Sequence, residues 1–210
     1  MARAILIACL YASPAALAQG GFENRPGIPE QMVGLQGRLG ASALAGEGAG
    51  DVDQPPLSHL SGSLQIRVIP DWYAELSTFG ERTLRAEAPE GKTILGIEGT
   101  TLGVRRRGAF GGTAKNLLIF GAGGGAGRVF VQGKGIENEV SGSYGGGMAY
   151  VLGGFEKELY GDQFNAGYVG VEAMWQQYFV GEKSPFRGGG ATVRVTFSYY
   201  MGGAYCAECW

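Results

Sequence analysis

Residues 191–200, ATVRVTFSYY, alternate between apolar and polar side chains. Successive side chains of a β-strand point to opposite faces of a sheet, so this stretch has one apolar face and one polar face. Val193, Val195 and Phe197 lie on the apolar face, whereas Arg194 lies on the polar face. The pattern therefore predicts a strand whose two faces meet different surroundings.

Similar blocks recur along the chain, separated by stretches rich in glycine, proline and acidic residues. The predicted strands cover residues 34–45, 60–69, 72–80, 93–105, 117–131, 142–153, 163–179 and 189–201. The fourth to sixth alternate least clearly. Their predicted apolar sets are Leu95, Ile97 and Thr101, then Leu118, Phe120 and Ala122, and then Met148, Tyr150 and Leu152. An even count of eight strands is typical of single-chain bacterial outer-membrane barrels.

The first eighteen residues have the parts of a removable export signal. Arg3 supplies a positive start, residues 4–10 an apolar core, and residues 16–18 a small-residue cleavage site after Ala18. An alternative is a lipoprotein signal at residues 6–9, which would leave a very short region before Cys9. Both interpretations predict an exported protein.

Composition narrows the class further. Glycine accounts for 40 of 210 residues, too many for a helical protein, while 11% aromatic residues argue against a disordered chain. The net charge of −2 gives no indication of nucleic-acid binding. No apolar run of about 20 residues follows the signal, so a membrane location would require a barrel. The predicted organisation is a signal at 1–18, a leader at 19–33, a barrel at 34–201 and a tail at 202–210.

The candidate functional residues are charged side chains on the inward faces of the predicted strands. They are Arg38, Arg67, Arg194, Glu75, Glu98 and Glu172. An eight-stranded barrel is only wide enough for side chains to fill its interior, and buried charges are tolerated when they are paired. The sequence therefore predicts a charge network that fills the lumen. A narrow ion or water pathway lined by the same charges is the alternative.

Aromatic residues fall near both predicted rims of the barrel, where girdles of aromatic side chains sit at headgroup depth. Trp72, Tyr199 and Tyr200 are predicted at the inner rim, and Phe79, Tyr178 and Phe179 at the outer rim. Pro70-Asp71 predicts a tight turn between the second and third strands.

Four other features contain residue types that can carry chemistry, but none predicts a catalytic, cofactor-binding or metal site. His59 is expected in an outer loop. The Arg105–Arg107 run is expected in a solvated turn, and the alternative is that it binds anionic lipid or peptidoglycan. The glycine-rich residues 121–127 favour strand bending over phosphate binding. Cys206 and Cys209 predict a disulfide in the tail, with redox activity as the less favoured reading.

The chain resembles the small outer-membrane β-barrels of the OmpA/OmpX and opacity-protein type. The resemblance rests on the export signal, the eight blocks and the segments GSYGGGMAYVLGG, FNAGYVGVEAMWQQYF and GGGATVRVTFSYY. The tail MGGAYCAECW departs from it, because such barrels often stop at the closing aromatic residue or continue into a separate domain.

The resemblance implies an eight-stranded antiparallel up-and-down transmembrane β-barrel in a Gram-negative outer membrane. Its expected partners are outer-membrane lipid, lipopolysaccharide, the barrel-assembly machinery and an unidentified surface ligand. The implied role is non-catalytic, either structural or in surface interaction through the outer loops. A porin-like channel, a lipid-modifying enzyme and a soluble barrel or sandwich remain the alternatives.

Overall fold

The computed structural model describes residues 31–47, 49, 56–69, 71–83, 93–110, 113–134, 139–161, 165–181, 184 and 186–202. These residues form eight strands. They are β1 (Gln31–Glu47), β2 (Leu57–Ile69), β3 (Trp72–Arg82), β4 (Thr93–Phe110), β5 (Thr113–Lys134), β6 (Glu139–Gly161), β7 (Asn165–Val180) and β8 (Arg187–Gly202). A helix that is long and apolar enough to cross a membrane does not occur in the described part of the chain.

The eight strands close into one antiparallel barrel in which each strand pairs with its neighbours in sequence and β1 pairs with β8. The pairing can be followed once around the barrel, from each residue to its partner on the next strand. A path that starts at Gly146 on β6 and passes through β5, β4, β3, β2, β1, β8 and β7 returns to β6 at Glu156. The strands are therefore staggered by ten residues (146 to 156) around the barrel. This stagger tilts them and fixes the barrel's diameter.

The predicted fold class, an eight-stranded antiparallel up-and-down barrel, is confirmed. The strands of β4 to β6 are longer than predicted, and β1 begins at Gln31, inside the predicted leader. Consequently β4 ends at Phe110 just before β5 begins at Thr113, and β6 ends at Gly161 just before β7 begins at Asn165. The predicted export signal with its Ala18 site, and Cys206 and Cys209, lie outside the described residues.

Three short connections, after β2, β4 and β6, lie at one end of the barrel, which we call the inner end; the other is the outer end. The connection after β2 contains the predicted turn, where Asp71 adopts a positive φ of 66°. Aspartate tolerates this left-handed conformation better than most residues do. The Asp71 carbonyl accepts a hydrogen bond from the Arg107 amide at 2.8 Å, which fixes the turn against β4.

The alternation of β8 follows its sequence along the whole strand. Val193 is 60% exposed on the outside, whereas Arg194 is 4% exposed and points into the barrel. The same polarity holds in β2, β3 and β7. Apolar side chains thus surround the exterior, and polar side chains fill the interior.

The predicted facing of β4 and β6 is wrong. The residues expected outside are buried, namely Leu95, Ile97 and Thr101 in β4 and Met148, Tyr150 and Leu152 in β6. Both faces of β4 carry apolar residues, since Leu102 and Val104 occupy the other face, so hydrophobicity does not select the inward one. The charges select it, because Arg105 and Arg107 share a face with Ile97 and pair with buried carboxylates. In β5, Phe120 lies outside as predicted.

Two apolar clusters close the interior at its ends. The outer cluster contains Leu57, Leu95, Ile97 and Phe186 among its members. The inner cluster is rich in tyrosine and consists of Tyr73, Leu117, Ile119, Tyr150, Leu152, Ala166, Tyr168, Met174 and Tyr200. The charged side chains between them are therefore separated from both barrel ends by packed apolar groups.

Inward-facing glycines provide the room that large interior side chains need. Each of three large side chains lies directly over a glycine of the neighbouring strand, where a Cβ atom would collide: Glu172 over Gly154, Arg194 over Gly40 and Tyr200 over Gly34. At Gly154 the Cβ atom would lie 2.8 Å from the Glu172 Cγ atom and 2.6 Å from the Val171 carbonyl oxygen. The high glycine content is thus partly explained by interior packing.

Replacing Gly154 by alanine should therefore lower the free energy of unfolding by about 1–3 kcal/mol, since overpacking displaces Glu172. Gly153 is the matched control, because its Cβ atom would meet nothing closer than 3.9 Å, and Gly153→Ala should change stability by less than about 0.5 kcal/mol. Urea unfolding of the folded barrel measures both. Equal effects of the two substitutions would contradict this assignment.

Candidate functional site

The centre of the barrel holds four charged side chains that alternate in sign around a ring. Glu172 on β7 lies 2.6 Å from Arg105 Nη1 and 3.6 Å from Arg38 Nε. Glu75 on β3 lies 2.7 Å from Arg38 Nη2 and 2.9 Å from Arg105 Nε. Each arginine therefore bridges both carboxylates, and all four side chains are almost completely buried.

Other polar groups donate further hydrogen bonds to these carboxylates. Arg194 on β8 donates from Nε to the second Glu172 oxygen at 2.8 Å. Gln65 donates to Glu75 at 3.0 Å and accepts a hydrogen bond from the Tyr200 hydroxyl at 2.5 Å. Charged groups out of contact with water are stable only when hydrogen-bonded in this way.

Towards the inner end, Glu156 and Arg107 form a second pair. The Glu156 carboxylate accepts two hydrogen bonds from Arg107, at 3.1 and 3.0 Å, and one each from Gln36 and Ser198 at 2.9 Å. The Arg107 guanidinium lies over the ring of Tyr200 at 3.7 Å and also faces Tyr168 and Tyr73. Cation–π contact with three rings stabilises its charge where the barrel meets the inner apolar cluster.

Towards the outer end, Glu81 is the acceptor for a group of neutral donors. It accepts from Gln176 at 2.6 Å and from the Ser42 hydroxyl at 2.7 Å, and His59 Nδ1 lies 2.9 Å from it. His59 Nε2 lies 3.0 Å from the Ser61 hydroxyl oxygen. The His59 ring also stacks on Phe79, with the two ring planes 9° apart.

The described interior is balanced in charge and tightly filled. Its buried charged groups are four arginines, Arg38, Arg105, Arg107 and Arg194, and four glutamates, Glu75, Glu81, Glu156 and Glu172. The cavity in this layer has a volume of about 10 Å³. A single water needs about 10–15 Å³, so this cavity holds one water at most. Within the described residues, no three histidine, cysteine, aspartate or glutamate side chains are arranged to hold a metal ion.

The structure brings together four of the six predicted interior charges, namely Arg38, Arg194, Glu75 and Glu172. Arg67 is half-buried on the inward face at the inner rim, close to Asp71. Burial raises the pKa of the Asp71 carboxyl, and the charges of Arg106, Arg67 and Arg107 oppose this rise.

The prediction for Glu98 is wrong. Glu98 lies on the outward face of β4 and pairs at 3.0 Å with Arg128, whose side chain is 62% exposed. The error follows from the reversed facing of β4. If Ile97 points inward, its neighbour Glu98 must point outward.

Sequence reasoning missed five interior residues. The Arg105–Arg107 run is not a turn but part of β4, with Arg105 and Arg107 buried and Arg106 outside. His59, expected in a solvated loop, is 2% exposed within β2. Glu156 and Glu81 complete the set. Continuing the alternation of the second and third strands outward by one or two residues would have placed His59 and Glu81 inside.

Three of the predicted girdle aromatics are interior residues. Tyr178 donates its hydroxyl to Glu81 and Tyr200 belongs to the inner apolar cluster, so both assignments are wrong. Phe79 packs inside the barrel against the outer cluster and stacks on His59, so its girdle assignment is wrong as well. Trp72, Phe179 and Tyr199 lie on the outer surface as predicted. Adjacent residues of a strand point to opposite faces. Tyr200 follows the outward Tyr199, and Tyr178 precedes the outward Phe179, so both tyrosines point inward.

The fold and interior define a closed, up-and-down eight-stranded barrel with a charge-paired core. No protein-family model matches the chain, and no curated protein matches its sequence. Among solved structures, the chain is similar to Neisserial surface protein A (NspA) at 10% identity and a TM-score of 0.55, over 80% of this chain and 94% of that one. This likeness shows a shared barrel fold.

Two further solved structures have lower TM-scores. The N-terminal β-barrel domain of Pseudomonas aeruginosa OprF matches at 13% identity and a TM-score of 0.44, over 81% of this chain and 99% of that one. The attachment invasion locus protein Ail of Yersinia pestis, in complex with the heparin analogue sucrose octasulfate, matches at 12% identity and a TM-score of 0.47, over 81% and 96%.

Glu172→Gln should lower the free energy of unfolding by about 3–5 kcal/mol, because it removes the charge that offsets Arg38, Arg105 and Arg194 in a buried site. Glu98→Gln is the matched control. It breaks only the solvent-exposed pair with Arg128 and should cost less than about 1 kcal/mol. Equilibrium urea unfolding in detergent micelles compares the two. A Glu172→Gln protein as stable as the Glu98→Gln protein would contradict the proposed importance of the central ring.

Proposed function

We propose that this protein is a closed, non-catalytic β-barrel of the Gram-negative outer membrane. Its role is structural or in surface interaction, through the connections at its outer end. The observation that carries the proposal is the reversed distribution of polarity, with apolar side chains outside and paired charges inside.

The exterior supports residence in a membrane. Large apolar side chains are exposed around it, including Leu60, Leu102 and Phe179 at 60% or more. Soluble monomers rarely expose extended apolar surface, whereas a barrel in a bilayer needs an outward apolar band. This argues against the alternative of a soluble barrel or sandwich.

The outer surface has the depth profile of a membrane barrel. Trp72 and Tyr199 lie near the inner end and Phe179 near the outer end, with aliphatic residues such as Val195 between them. The exposed pair Glu98–Arg128 lies towards the outer end. Lipid in the membrane, lipopolysaccharide in its outer leaflet, and the barrel-assembly machinery acting on β8 are the partners that this location implies.

The interior supports a closed barrel over a narrow channel. The alternating ring around Glu75 and Glu172 fills the cross-section at the centre, and Arg107 with its tyrosines fills the inner end. Moving an ion through would require breaking several charge-assisted hydrogen bonds at once. A surface role therefore falls to the four outer connections.

Purified protein reconstituted into lipid vesicles should insert and run with heat-modifiable mobility on a gel, yet show no steady conductance in a planar bilayer. The reason is that the apolar exterior drives insertion while the paired interior blocks ions. An open porin serves as the positive control for the recording. Steady single-channel openings would overturn the closed barrel, and full recovery in a detergent-free periplasmic extract would overturn the membrane location.

One observation favours a hydrolase as a second candidate. The geometry resembles a triad of nucleophile, base and acid formed by Ser61, His59 and Glu81. His59 Nε2 lies 3.0 Å from the Ser61 hydroxyl oxygen, and His59 Nδ1 lies 2.9 Å from the Glu81 carboxylate. Such spacing suits nucleophilic catalysis. Ser61 is, however, only 5% exposed, and the adjoining cavity of about 10 Å³ has no room for an acyl substrate. We therefore assign these residues to packing.

A fluorophosphonate probe should fail to label Ser61 in the folded protein, because the closed interior excludes it. Ser61→Ala is the test variant. Ser58→Ala is the control, since Ser58 lies on the outward face of the same strand and donates its hydroxyl to the Arg82 carbonyl. Labelling that Ser61→Ala abolishes and Ser58→Ala leaves intact would establish a reactive serine and overturn the non-catalytic assignment.

A further inference from the structure

Arg106 is a cation on the apolar outer surface of the barrel. Its neighbours Arg105 and Arg107 point inward, so Arg106 points outward, next to the exposed Val104 on the same face of β4. The strand register places it between Trp72 on β3 and Phe120 on β5. The Arg106 guanidinium lies 5.9 Å from the Trp72 ring. A charged group is thus held between two lipid-facing aromatic rings near the inner end.

The charge of Arg106 is not neutralised by the described residues around it. None of their carboxylates lies within 4.0 Å of its guanidinium, although Asp71 is close enough for Arg106 to act on its pKa. Arg106 Nε is also buried and has no hydrogen-bond partner. By contrast, Arg128, an exposed arginine near the outer end, is paired with Glu98 at 3.0 Å.

We propose that the Arg106 guanidinium, flanked by Trp72 and Phe120, binds the phosphate of an anionic phospholipid in the inner leaflet. This inference rests on the proposed membrane location, with the inner end towards the periplasm because the short connections of outer-membrane barrels lie on that side. An arginine on the lipid face costs about 2–4 kcal/mol at the bilayer midplane and about 0–1 kcal/mol near the interface, so it is tolerated where it reaches a phosphate. The planar guanidinium binds phosphate through two parallel hydrogen bonds.

The surroundings of Arg106 favour an anionic headgroup over a zwitterionic one. A zwitterionic lipid already carries its own cation, whereas phosphatidylglycerol has a net negative charge that an unpaired guanidinium can neutralise. Trp72 suits the same depth, because tryptophan rings concentrate at the headgroup level. Phe120 is exposed at the paired position on β5, so it offers apolar surface beside Arg106.

The test compares Arg106→Gln with Arg128→Gln. The second substitution also removes one positive charge from the exterior of the barrel, but near its outer end. Each variant is reconstituted in equimolar phosphatidylcholine and phosphatidylglycerol, and native mass spectrometry of the released barrel measures retained phosphatidylglycerol. Arg106→Gln should weaken retention by about tenfold, as expected for loss of one charge-assisted interaction. Arg128→Gln should retain the lipid as the wild type does. Lys115 and Lys157 are exposed in both variants, so the comparison isolates Arg106.

Equal retention by the wild type and Arg106→Gln would overturn the proposed site, as would an equal loss in both variants, which would indicate a general charge effect. If Arg106→Gln fails to fold, the proposal is tested by whether the wild-type protein retains more phosphatidylglycerol than phosphatidylcholine. A wild type that inserts but retains both lipids equally refutes the lipid site alone. A wild type that does not insert into the vesicles refutes the membrane location as well.

Discussion

Charge balance inside a narrow, water-poor cylinder is the constraint on which this structure depends. Eight strands enclose only enough space for side chains, and those side chains include four arginines and four glutamates. Such groups are tolerated because each carboxylate meets at least one guanidinium or several neutral donors. Removing one charge would leave its partners buried and unmatched, which is far more costly than losing an exposed pair. The interior therefore behaves as one unit rather than as separate ion pairs.

Glycine makes this crowded interior sterically feasible. Several large interior side chains lie over a glycine of the neighbouring strand, where a Cβ atom would collide, as at Gly154 beneath Glu172 and Gly40 beneath Arg194. The apolar clusters at both ends then separate the charges from water, which strengthens their mutual attraction. Part of the high glycine content is thus required by specific side-chain contacts inside the barrel.

Sequence alone was sufficient for the strand count, the barrel and the facing of the strands with one apolar face. In β8 and β7, alternation placed Arg194 and Glu172 inside without knowledge of any contact. It failed in β4, where Ile97 and Leu102 make both faces apolar, so that facing depends on which face finds charged partners across the lumen. Arg105 shows this limit most clearly, because its partners Glu75 and Glu172 come from β3 and β7 and only the closed register brings them together. Tyr200 and Tyr178 show another limit, since an aromatic residue near a strand end suits a girdle or an interior equally well.

The connectivity of the central ring also bears on how the barrel is assembled. Arg38 belongs to β1, Glu75 to β3, Arg105 to β4 and Glu172 to β7, while Arg194 comes from β8. An open, partly formed sheet would expose these charges without their partners, and in hydrocarbon that state has a high free energy. Union of the first and last strands removes the sheet edges and completes the ion pairs in a single event. Electrostatics therefore penalises every half-built species, which makes closure cooperative and the sealed cylinder hard to reopen.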